Sequence, residues 1–441
     1  MLNKFFLCFL IIISCYTSVY AQKIQYILID KAHRRIPVAV PEFKISNGHA
    51  KESIAAEKAK RILIDSLDFT GYLGVMDSIA YLADPSKTGI SFSDITFKDW
   101  TDIGAEFLIT AGIEEDEGGI KMELRCFDTF NTNMVVGKLY SGSDSQIRKI
   151  IHLFCSEIFY VLTGKRGIFD TAITFVSTVN EGKEIFTCDF DGQNINQITF
   201  HDSLSLSPAL SPDGKWLAYV SYAEGKPDLY IKNLLTNQGV IVNKTGINIS
   251  PAWRPDQMPD RSELAASLSF SGDAEIYLLS VKGEVIKKLT NSLNIDVSPS
   301  FSPDGKKIAF TSRRSGRPQI YIKDIESGSV RRLTFTGTNN TSPAWSPDGN
   351  KIAYVGLGEG RMNIYIMDIN TGNPIQLTSK SGDNEDPSWS PDGSMLAFTS
   401  TREQGVSKIF IMNASGAGQR RLVSMNGKQS QPNWANQGTG K

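Results

Sequence analysis

A short motif recurs through the second half of the chain at a nearly constant spacing. Its full form is Ser-Pro-x-x-Ser-Pro-Asp-Gly, and two weaker copies lack part of it. The six copies begin at Ser207, Ser250, Ser298, Ser342, Asp386 and Gln431. Neighbouring starts are 43, 48, 44, 44 and 45 residues apart, a period typical of propeller blades. The repeat therefore predicts six blades.

Each period contains four β-prone runs, most clearly in the copy that starts at Ser342. They span 344–345, 351–355, 363–367 and 375–377. The Ser-Pro-Asp-Gly between the first two runs favours a tight turn, because Pro presets φ, Asp accepts bonds from nearby amides and Gly tolerates a positive φ. A carboxylate repeated once per blade indicates architecture rather than one active site.

The order of the runs predicts how the propeller closes. A second-strand run at 173–176 comes before any first-strand motif, and the last first-strand motif, 431–435, has no successor. Pairing the two completes six four-stranded blades over 173–435 and hides both sheet edges. We expect a short C-terminal tail, 436–441.

The N-terminal half has a different periodicity. Helical spacing of apolar residues occurs at 50–67 and 147–162, and strand-like runs occur at 37–40, 107–113, 120–127 and 134–140. These patterns predict a mixed α/β domain over 35–164, an N-terminal arm over 22–34 and a linker over 165–172. The fold class is thus an α/β N-terminal domain followed by an all-β six-bladed propeller, and 441 residues suffice for both.

The first residues resemble an export signal. Lys4 precedes an apolar run over 5–13, and Ala21 ends a small-residue cleavage site, so we expect a signal peptide over 1–21. Nine apolar residues are too few to span a bilayer. A lipobox-like sequence ending at Cys15 leaves acylation there as an alternative.

The sequence carries few signs of chemistry. Cys126, Cys155 and Cys188 favour small buried thiols over a disulfide framework, although a bridge between Cys126 and Cys155 stays open. Hydrolase, zincin and phosphate-loop motifs are absent, so we predict no catalytic residues, metal or cofactor. Lys and Arg number 46 against 47 Asp and Glu, which argues against nucleic acid as a partner.

Four features together resemble one family. The leader, the α/β domain, the junction Leu-Thr-Gly-Lys-Arg-Gly-Ile-Phe at 162–169 and the propeller are similar to the TolB family, the periplasmic component of the Tol-Pal envelope system. The resemblance implies a monomeric, non-enzymatic scaffold in the periplasm that supports outer-membrane integrity and cell division. Its propeller face would bind the lipoprotein Pal, and its N-terminal arm would contact TolA.

Two sets of residues are candidates for these contacts. Loops that enter the innermost strands should ring the channel mouth, where short polar residues suit a wet, specific interface. The predicted annulus consists of Ile247, Asn248, Ser250, Val297, Ser298, Asn340, Thr341, Ser342, Glu385 and Asp386. Ile247 and Val297 depart from the polar family pattern. The predicted arm is Gln22, Lys23, Ile24, Gln25, Tyr26, Ile27, Leu28, Ile29 and Asp30, which suits added β pairing or packing onto its own domain.

Two other functions stay open from the sequence. One is a propeller hydrolase or lyase acting on an extracellular glycan or peptide, which would need a cluster of titratable groups with perturbed pKa values in the channel. The other is a lipid-anchored structural or signalling propeller unrelated to Pal, which acylation of Cys15 would favour.

Overall fold

A mixed sheet backed by helices forms the N-terminal domain. The computed structural model describes residues 34–45, 54–82, 84–116, 119–255 and 262–436. The elements are β1 (Ile36–Ala39), β2 (Lys44–Ile45), α1 (Ile54–Phe69), β3 (Leu73–Val75), α2 (Phe97–Thr101), β4 (Phe107–Asp116), β5 (Gly119–Asp128), β6 (Asn133–Gly142) and α3 (Ile147–Thr163). The strand order is β3-β1-β4-β5-β6, with β2 beside β4. The sheet is parallel around β1 and antiparallel from β4 to β6.

The apolar faces of α1 and α3 cover one side of this sheet. Leu63 and Leu67 of α1 and Phe154 of α3 are fully buried in the core that the helices share with the sheet. Cys126 of β5 and Cys155 of α3 lie in the same core as free thiols, and burial raises the pKa of each. The bridge that the sequence left open is not formed, and these cysteines act as small apolar side chains.

Six four-stranded antiparallel blades make up the rest of the chain, as the repeat predicted. The first three strands are β7 (Thr171–Val179), β8 (Gly182–Asp189) and β9 (Asn196–Gln197). Blade 2 is β10 (Ser205–Leu210), β11 (Trp216–Ser221), β12 (Asp228–Asn233) and β13 (Gly239–Val242). Blade 3 is β14 (Asn248–Trp253), β15 (Glu263–Leu268), β16 (Glu275–Ser280) and β17 (Val285–Lys288).

The remaining blades repeat this order. Blade 4 is β18 (Asp296–Phe301), β19 (Lys307–Ser312), β20 (Gln319–Asp324) and β21 (Val330–Arg332). Blade 5 is β22 (Asn340–Trp345), β23 (Lys351–Gly358), β24 (Arg361–Asp368) and β25 (Pro374–Gln376). Blade 6 is β26 (Asn384–Trp389), β27 (Met395–Glu403), β28 (Val406–Asn413) and β29 (Arg420–Arg421), and β30 (Gln429–Asn436) follows.

The last strand closes the ring by joining the first three. β30 pairs antiparallel with β7, so blade 1 has the order β30-β7-β8-β9. Trp434 of β30 is buried and its indole Nε1 donates to Thr171 Oγ1 at 2.8 Å. The predicted closure is confirmed: β30 becomes the innermost strand of blade 1, and β7 is paired on both sides.

The repeated Asp residues hold the turns between the first and second strands. In blade 5, Ser346 Oγ donates to Asp348 Oδ1 at 2.5 Å, and the Asn350 amide donates to the same oxygen at 3.1 Å. Ser346 Oγ also accepts from the Lys351 amide at 2.9 Å. The same three bonds recur around Asp213, Asp304 and Asp392. These carboxylates are therefore architectural.

Replacing Asp348 by alanine should destabilise the propeller. It should not directly affect the opposite end of the channel, where the predicted annulus lies. The change removes the acceptor of the Ser346 and Asn350 bonds, each of which contributes about 1 kcal/mol. We expect the free energy of unfolding to fall by about 1 to 2 kcal/mol. Urea denaturation measures the fall, and an unchanged midpoint would contradict the structural role.

The α/β domain packs against blades 1 and 6 through aromatic rings and polar bonds. Phe190 of blade 1 contacts Phe69 with ring centroids 5.1 Å apart, and Phe169 with centroids 5.5 Å apart. Arg148 donates its Nε to Asp189 Oδ2 at 2.9 Å, and Arg420 of blade 6 donates to the Phe69 carbonyl at 2.6 Å. Phe169 belongs to the segment predicted as a linker, yet it is buried. The junction is thus a packed interface.

A buried histidine makes this junction sensitive to acid. His152 on α3 is 7% exposed, its ring lies 5.0 Å from that of Phe190, and its Nε2 has no hydrogen-bond partner among the described residues. Burial, followed by the positive charge of Arg148, lowers the pKa of His152 to about 4, while Asp191 opposes this shift. The structure therefore holds His152 neutral.

We expect the wild-type chain to lose stability between about pH 6.5 and pH 4, because the unfolded histidine takes up a proton before the folded one does. The loss attributable to His152 should reach about 2 kcal/mol at pH 5. The measurement is urea unfolding at pH 7.5 and pH 5. The variant His152→Phe keeps an aromatic ring but cannot bind a proton. Between pH 7.5 and pH 5 its free energy of unfolding should therefore fall by about 2 kcal/mol less than that of the wild type. Equal losses in both proteins would refute the assignment to His152.

Candidate partner-binding face

The two ends of the propeller channel differ in what surrounds them. We call one end the entrance face: it carries the loops that lead from the outermost strand of each blade into the innermost strand of the next. The other end, the turn face, carries the Ser-Pro-Asp-Gly turns. Lys165 Nζ donates to the carbonyl of Asp392 in one of these turns, at 3.1 Å. The α/β domain therefore contacts the turn face, and the entrance face lies on the opposite side of the ring.

The channel between the faces is lined by the innermost strands of all six blades. It encloses about 530 Å³. Near the entrance it is ringed by the residue at the first position of each motif copy, namely Ser207, Ser250, Ser298, Ser342, Asp386 and Gln431. We call these six residues the entrance ring. Five of the six have short side chains, so the ring is polar and open.

All six residues of the entrance ring adopt a left-handed backbone, with φ between 51° and 54°. The strand pairing shifts by one residue at each of them, for example between Thr341 and Ala344 against β23. A left-handed conformation in a residue other than glycine costs about 1 to 2 kcal/mol. The same bulge recurs in every blade, so it belongs to the repeated architecture, and it places six polar side chains around one channel mouth. The sequence signal for it is the polar residue before the first proline of each motif copy.

The structure brings four of the ten predicted annulus residues into the entrance ring: Ser250, Ser298, Ser342 and Asp386. The prediction missed the other two members, Ser207 and Gln431, although both start motif copies. Val297, Thr341 and Glu385 directly precede ring residues. Ile247 lies in the loop before β14, and Ile249 occupies the position in blade 3 that Val297 has in blade 4.

Two predicted annulus residues do not reach the surface. Asn248 is 0% and Asn340 is 3% exposed. Asn248 Nδ2 donates to the Lys244 carbonyl at 2.9 Å, and Asn340 Nδ2 donates to the Thr336 carbonyl at 2.8 Å. Both side chains turn inward to hold the loops that precede their own strands. They shape the entrance face without being available for contact, which corrects their expected position.

One side of the entrance carries negative charge. Glu385 is exposed as a whole residue, but its carboxyl group is partly shielded from water. This desolvation, followed by repulsion from Asp386 and Asp383, raises the pKa of Glu385. Burial also raises the pKa of Asp386, against the effect of Thr399 Oγ1, which donates to its Oδ2 at 3.0 Å. Crowded carboxylates of this kind favour a cationic group on a partner.

The other side of the entrance face exposes large apolar side chains. Phe200 is 73%, Leu293 is 94% and Phe335 is 73% exposed, and each lies in a loop that enters an innermost strand. Leu204 and Ile295 lie in two of the same loops and are 37% and 40% exposed. We call these five residues the apolar arc. The sequence signal for the apolar arc is the presence of one or two apolar residues in each of these otherwise polar loops. The sequence-based prediction of the annulus did not include these residues.

The described residues contain no group of three or more His, Cys, Asp and Glu side chains placed to hold a metal ion. Within the same described ranges, no helix combines the length and the apolar character needed to cross a membrane. What the entrance face offers is a polar ring, an acidic side and an apolar arc.

The fold and this face define a class: a closed six-bladed propeller with an α/β domain on its turn face. Family models narrow the class, since the TolB amino-terminal domain matches residues 26–135 and the TolB beta propeller domain matches residues 159–437. The chain belongs to the TolB family.

Individual relatives agree with this membership. The chain is 48% identical over 253 residues to the Tol-Pal system protein TolB of Desulfosudis oleivorans and 41% identical over 262 residues to a TolB homolog of Chlorobaculum tepidum. These alignments span 57% and 58% of the relatives' lengths. The crystal structure of TolB from Acinetobacter baumannii superposes with a TM-score of 0.78 at 30% identity, covering 91% of this chain and 97% of that one.

Proposed function

We propose that this chain is a non-enzymatic, periplasmic binding component of the Tol-Pal system and that its entrance face binds Pal. The observation that carries the proposal is the apolar arc, whose large side chains are exposed beside the polar entrance ring. Membership of the TolB family and the relatives named as Tol-Pal components support the choice of system.

A protein partner suits this face better than a small substrate. Exposed Phe200, Leu293 and Phe335 offer aromatic and aliphatic anchors of the kind that form the centre of protein interfaces. The polar ring and the acidic side offer hydrogen bonds and charge that fix the register of the partner. The α/β domain lies on the opposite side of the ring, so it leaves the face accessible.

TolA is the second partner that we propose, through the N-terminal arm. The predicted arm residues, Gln22 to Asp30, lie outside the described residues, as does the predicted signal peptide. Arg34, the first described residue, forms an ion pair with Glu106 of the α/β domain. This contact supports an arm that begins beside the α/β domain. The proposal that the arm binds TolA rests on membership of the TolB family.

The experiment that tests the proposal is calorimetric titration. The chain from Gln22 onward is titrated with the soluble domain of Pal from the same genome. We expect saturable heat with a Kd of about 1 μM or lower, as befits a specific interface. No heat at about 100 μM of each protein would contradict Pal binding, and the channel would then be searched for a small ligand.

A further inference from the structure

The outer wall of blades 3 and 4 is strongly basic in a chain that is nearly neutral overall. Residues 275–332 contain 11 Lys and Arg against 6 Asp and Glu, a formal charge of +5. The whole chain has a charge of −1, so all other residues together have −6. Cations are thus concentrated in one sixty-residue stretch, which occupies two neighbouring blades.

Five of these eleven cations lie on or beside the outermost strands of the two blades. We call Lys287, Lys288, Lys323, Arg331 and Arg332 the basic rim; four of them lie on β17 and β21, and Lys323 lies beside β21 on β20. Lys323 pairs with Val330, and Lys323 and Lys287 repel each other across the groove between the blades. Lys287 is exposed and its Nζ reaches the Ile325 carbonyl of blade 4 at 3.5 Å.

Few carboxylates neutralise the basic rim. Lys288 lies 3.8 Å from Glu275, but Lys287, Lys323, Arg331 and Arg332 form no ion pair with any residue that the structure describes. Arg331 is exposed and donates to the neutral Ile369 carbonyl of blade 5 at 3.1 Å. Burial, followed by the positive charges of Lys287 and Arg314, lowers the pKa of Lys323, while Asp296 and Glu275 oppose this shift.

Exposed aliphatic side chains precede these cations on the outermost strands. Ile286 is 50% exposed, and Val285 and Val330 are each 39% exposed. Each outer strand therefore begins with aliphatic residues and ends with two cations: Val-Ile-Lys-Lys in β17 and Val-Arg-Arg in β21. Cations beside exposed aliphatic groups are the composition of surfaces that bind the interface of an anionic bilayer.

The basic rim lies on the side of the propeller that is opposite the blades contacted by the α/β domain. The α/β domain contacts blades 1 and 6, through Asp189 and Arg420. In a ring of six, blades 3 and 4 lie across the channel from these two. The rim lies on the outer wall, so a flat surface can approach it without displacing the α/β domain. Its entrance end borders the apolar arc, because the Arg332 guanidinium stacks on the Phe335 ring at 5.0 Å.

We propose that the basic rim binds the surface of a membrane rich in anionic phospholipid headgroups, with Ile286, Val285 and Val330 contacting the headgroup and acyl boundary. An acidic protein is the less suitable occupant, because the cations lie along the outer wall beside exposed aliphatic side chains, and the hydrogen-bond partners of Lys287, Arg331 and Arg332 are uncharged carbonyl oxygens. Cations whose partners are uncharged suit the phosphates of a fluid bilayer surface. The contact is direct and independent of any protein partner.

Vesicle cosedimentation of the chain from Gln22 onward tests this proposal. Vesicles contain phosphatidylcholine with or without about 30% phosphatidylglycerol, at low and at physiological salt. We expect binding to the anionic vesicles that is at least about tenfold stronger than to pure phosphatidylcholine and that falls as salt rises. The double variant Lys287→Glu, Arg331→Glu should bind at least about tenfold more weakly, since each cation near the surface contributes about fivefold.

The matched control is Arg361→Glu with Lys428→Glu. Both residues are exposed, lie on the entrance face and form no ion pair with a described residue. The control should change vesicle binding by less than about twofold. Ile286→Ser should weaken binding by about threefold without changing its salt dependence, because it removes apolar area only.

Three outcomes would overturn the proposal. The first is that the wild-type chain does not bind anionic vesicles at low salt. The second is that the rim variant and the control lose binding equally. The third is that soluble polyglutamate binds with the same dependence on Lys287 and Arg331 while vesicles do not, which would indicate an acidic protein. Thermal unfolding of every variant by circular dichroism establishes that a loss of binding does not come from misfolding.

Discussion

Replacing Ser342 by arginine is expected to weaken the proposed binding of Pal at least about 30-fold while changing the free energy of unfolding by less than about 0.5 kcal/mol. Ser342 is half-buried in the entrance ring, and its backbone already has a positive φ of 51°. Its amide donates to Thr311 Oγ1 at 3.2 Å, a backbone bond that arginine retains. The arginine side chain would then occupy the channel mouth and place an unpaired charge in the interface.

Ser298→Arg should behave in the same way, because Ser298 occupies the same position in blade 4 with a φ of 54°. Thr236→Arg is the matched control and should leave binding unchanged. Thr236 is exposed in the turn between β12 and β13, which lies on the turn face and not on the entrance face. Leu293→Asp tests the apolar arc separately. Because Leu293 is 94% exposed, this substitution should not destabilise the fold. Calorimetric titration and urea denaturation measure the two effects. A parallel loss of folding and binding would defeat the assignment of this face.

Ending the chain after Lys428 should abolish the cooperative thermal unfolding of the propeller. The truncation removes β30, so β7 loses its partner strand and Trp434 no longer fills the space beside Thr171. Trp434 also joins blade 6, because its backbone amide donates to Ser388 Oγ at 2.9 Å. The unpaired edge of β7 and an incomplete core favour aggregation over folding.

Two further variants separate the contribution of the whole strand β30 to stability from that of Trp434 alone. A chain that ends after Asn436 keeps the whole of β30 and should unfold like the wild type. Trp434→Ala should lower the free energy of unfolding by about 3 to 5 kcal/mol, the usual range for a buried tryptophan. Circular dichroism melts and size-exclusion chromatography are the measurements. A sharp wild-type transition in the chain that ends after Lys428 would mean that closure is dispensable.

The blades could be predicted because their turns depend on local chemistry. Serine, proline, aspartate and glycine specify a turn within a few residues, so the bonds around Asp348 follow from the motif itself. Short elements escaped prediction for the opposite reason. β3 and α2 span three and five residues and exist because longer neighbours pack on them, and so short a run carries no periodicity of its own.

The candidate site was predicted in part for similar reasons. The motif start fixed the location of Ser250, Ser298 and Ser342, because first-strand residues of every blade meet at the channel. It could not show that Asn248 turns inward, since that depends on the loop carbonyl of Lys244. It also could not separate the exposed Leu293 from the buried Leu289, because two leucines in one connecting segment look alike until the segment folds.

The pairing of the last strand with the first sets an order in time for the synthesis of this protein. Thr171 and Trp434 are 263 residues apart, and the ribosome makes chains at about 5 to 20 residues per second. β7 therefore waits for roughly 13 to 50 seconds before its partner exists. If the chain is exported as proposed, β7 stays without its inner partner until β30 has also crossed the membrane. Chaperones that mask such strand edges would have their main opportunity before then.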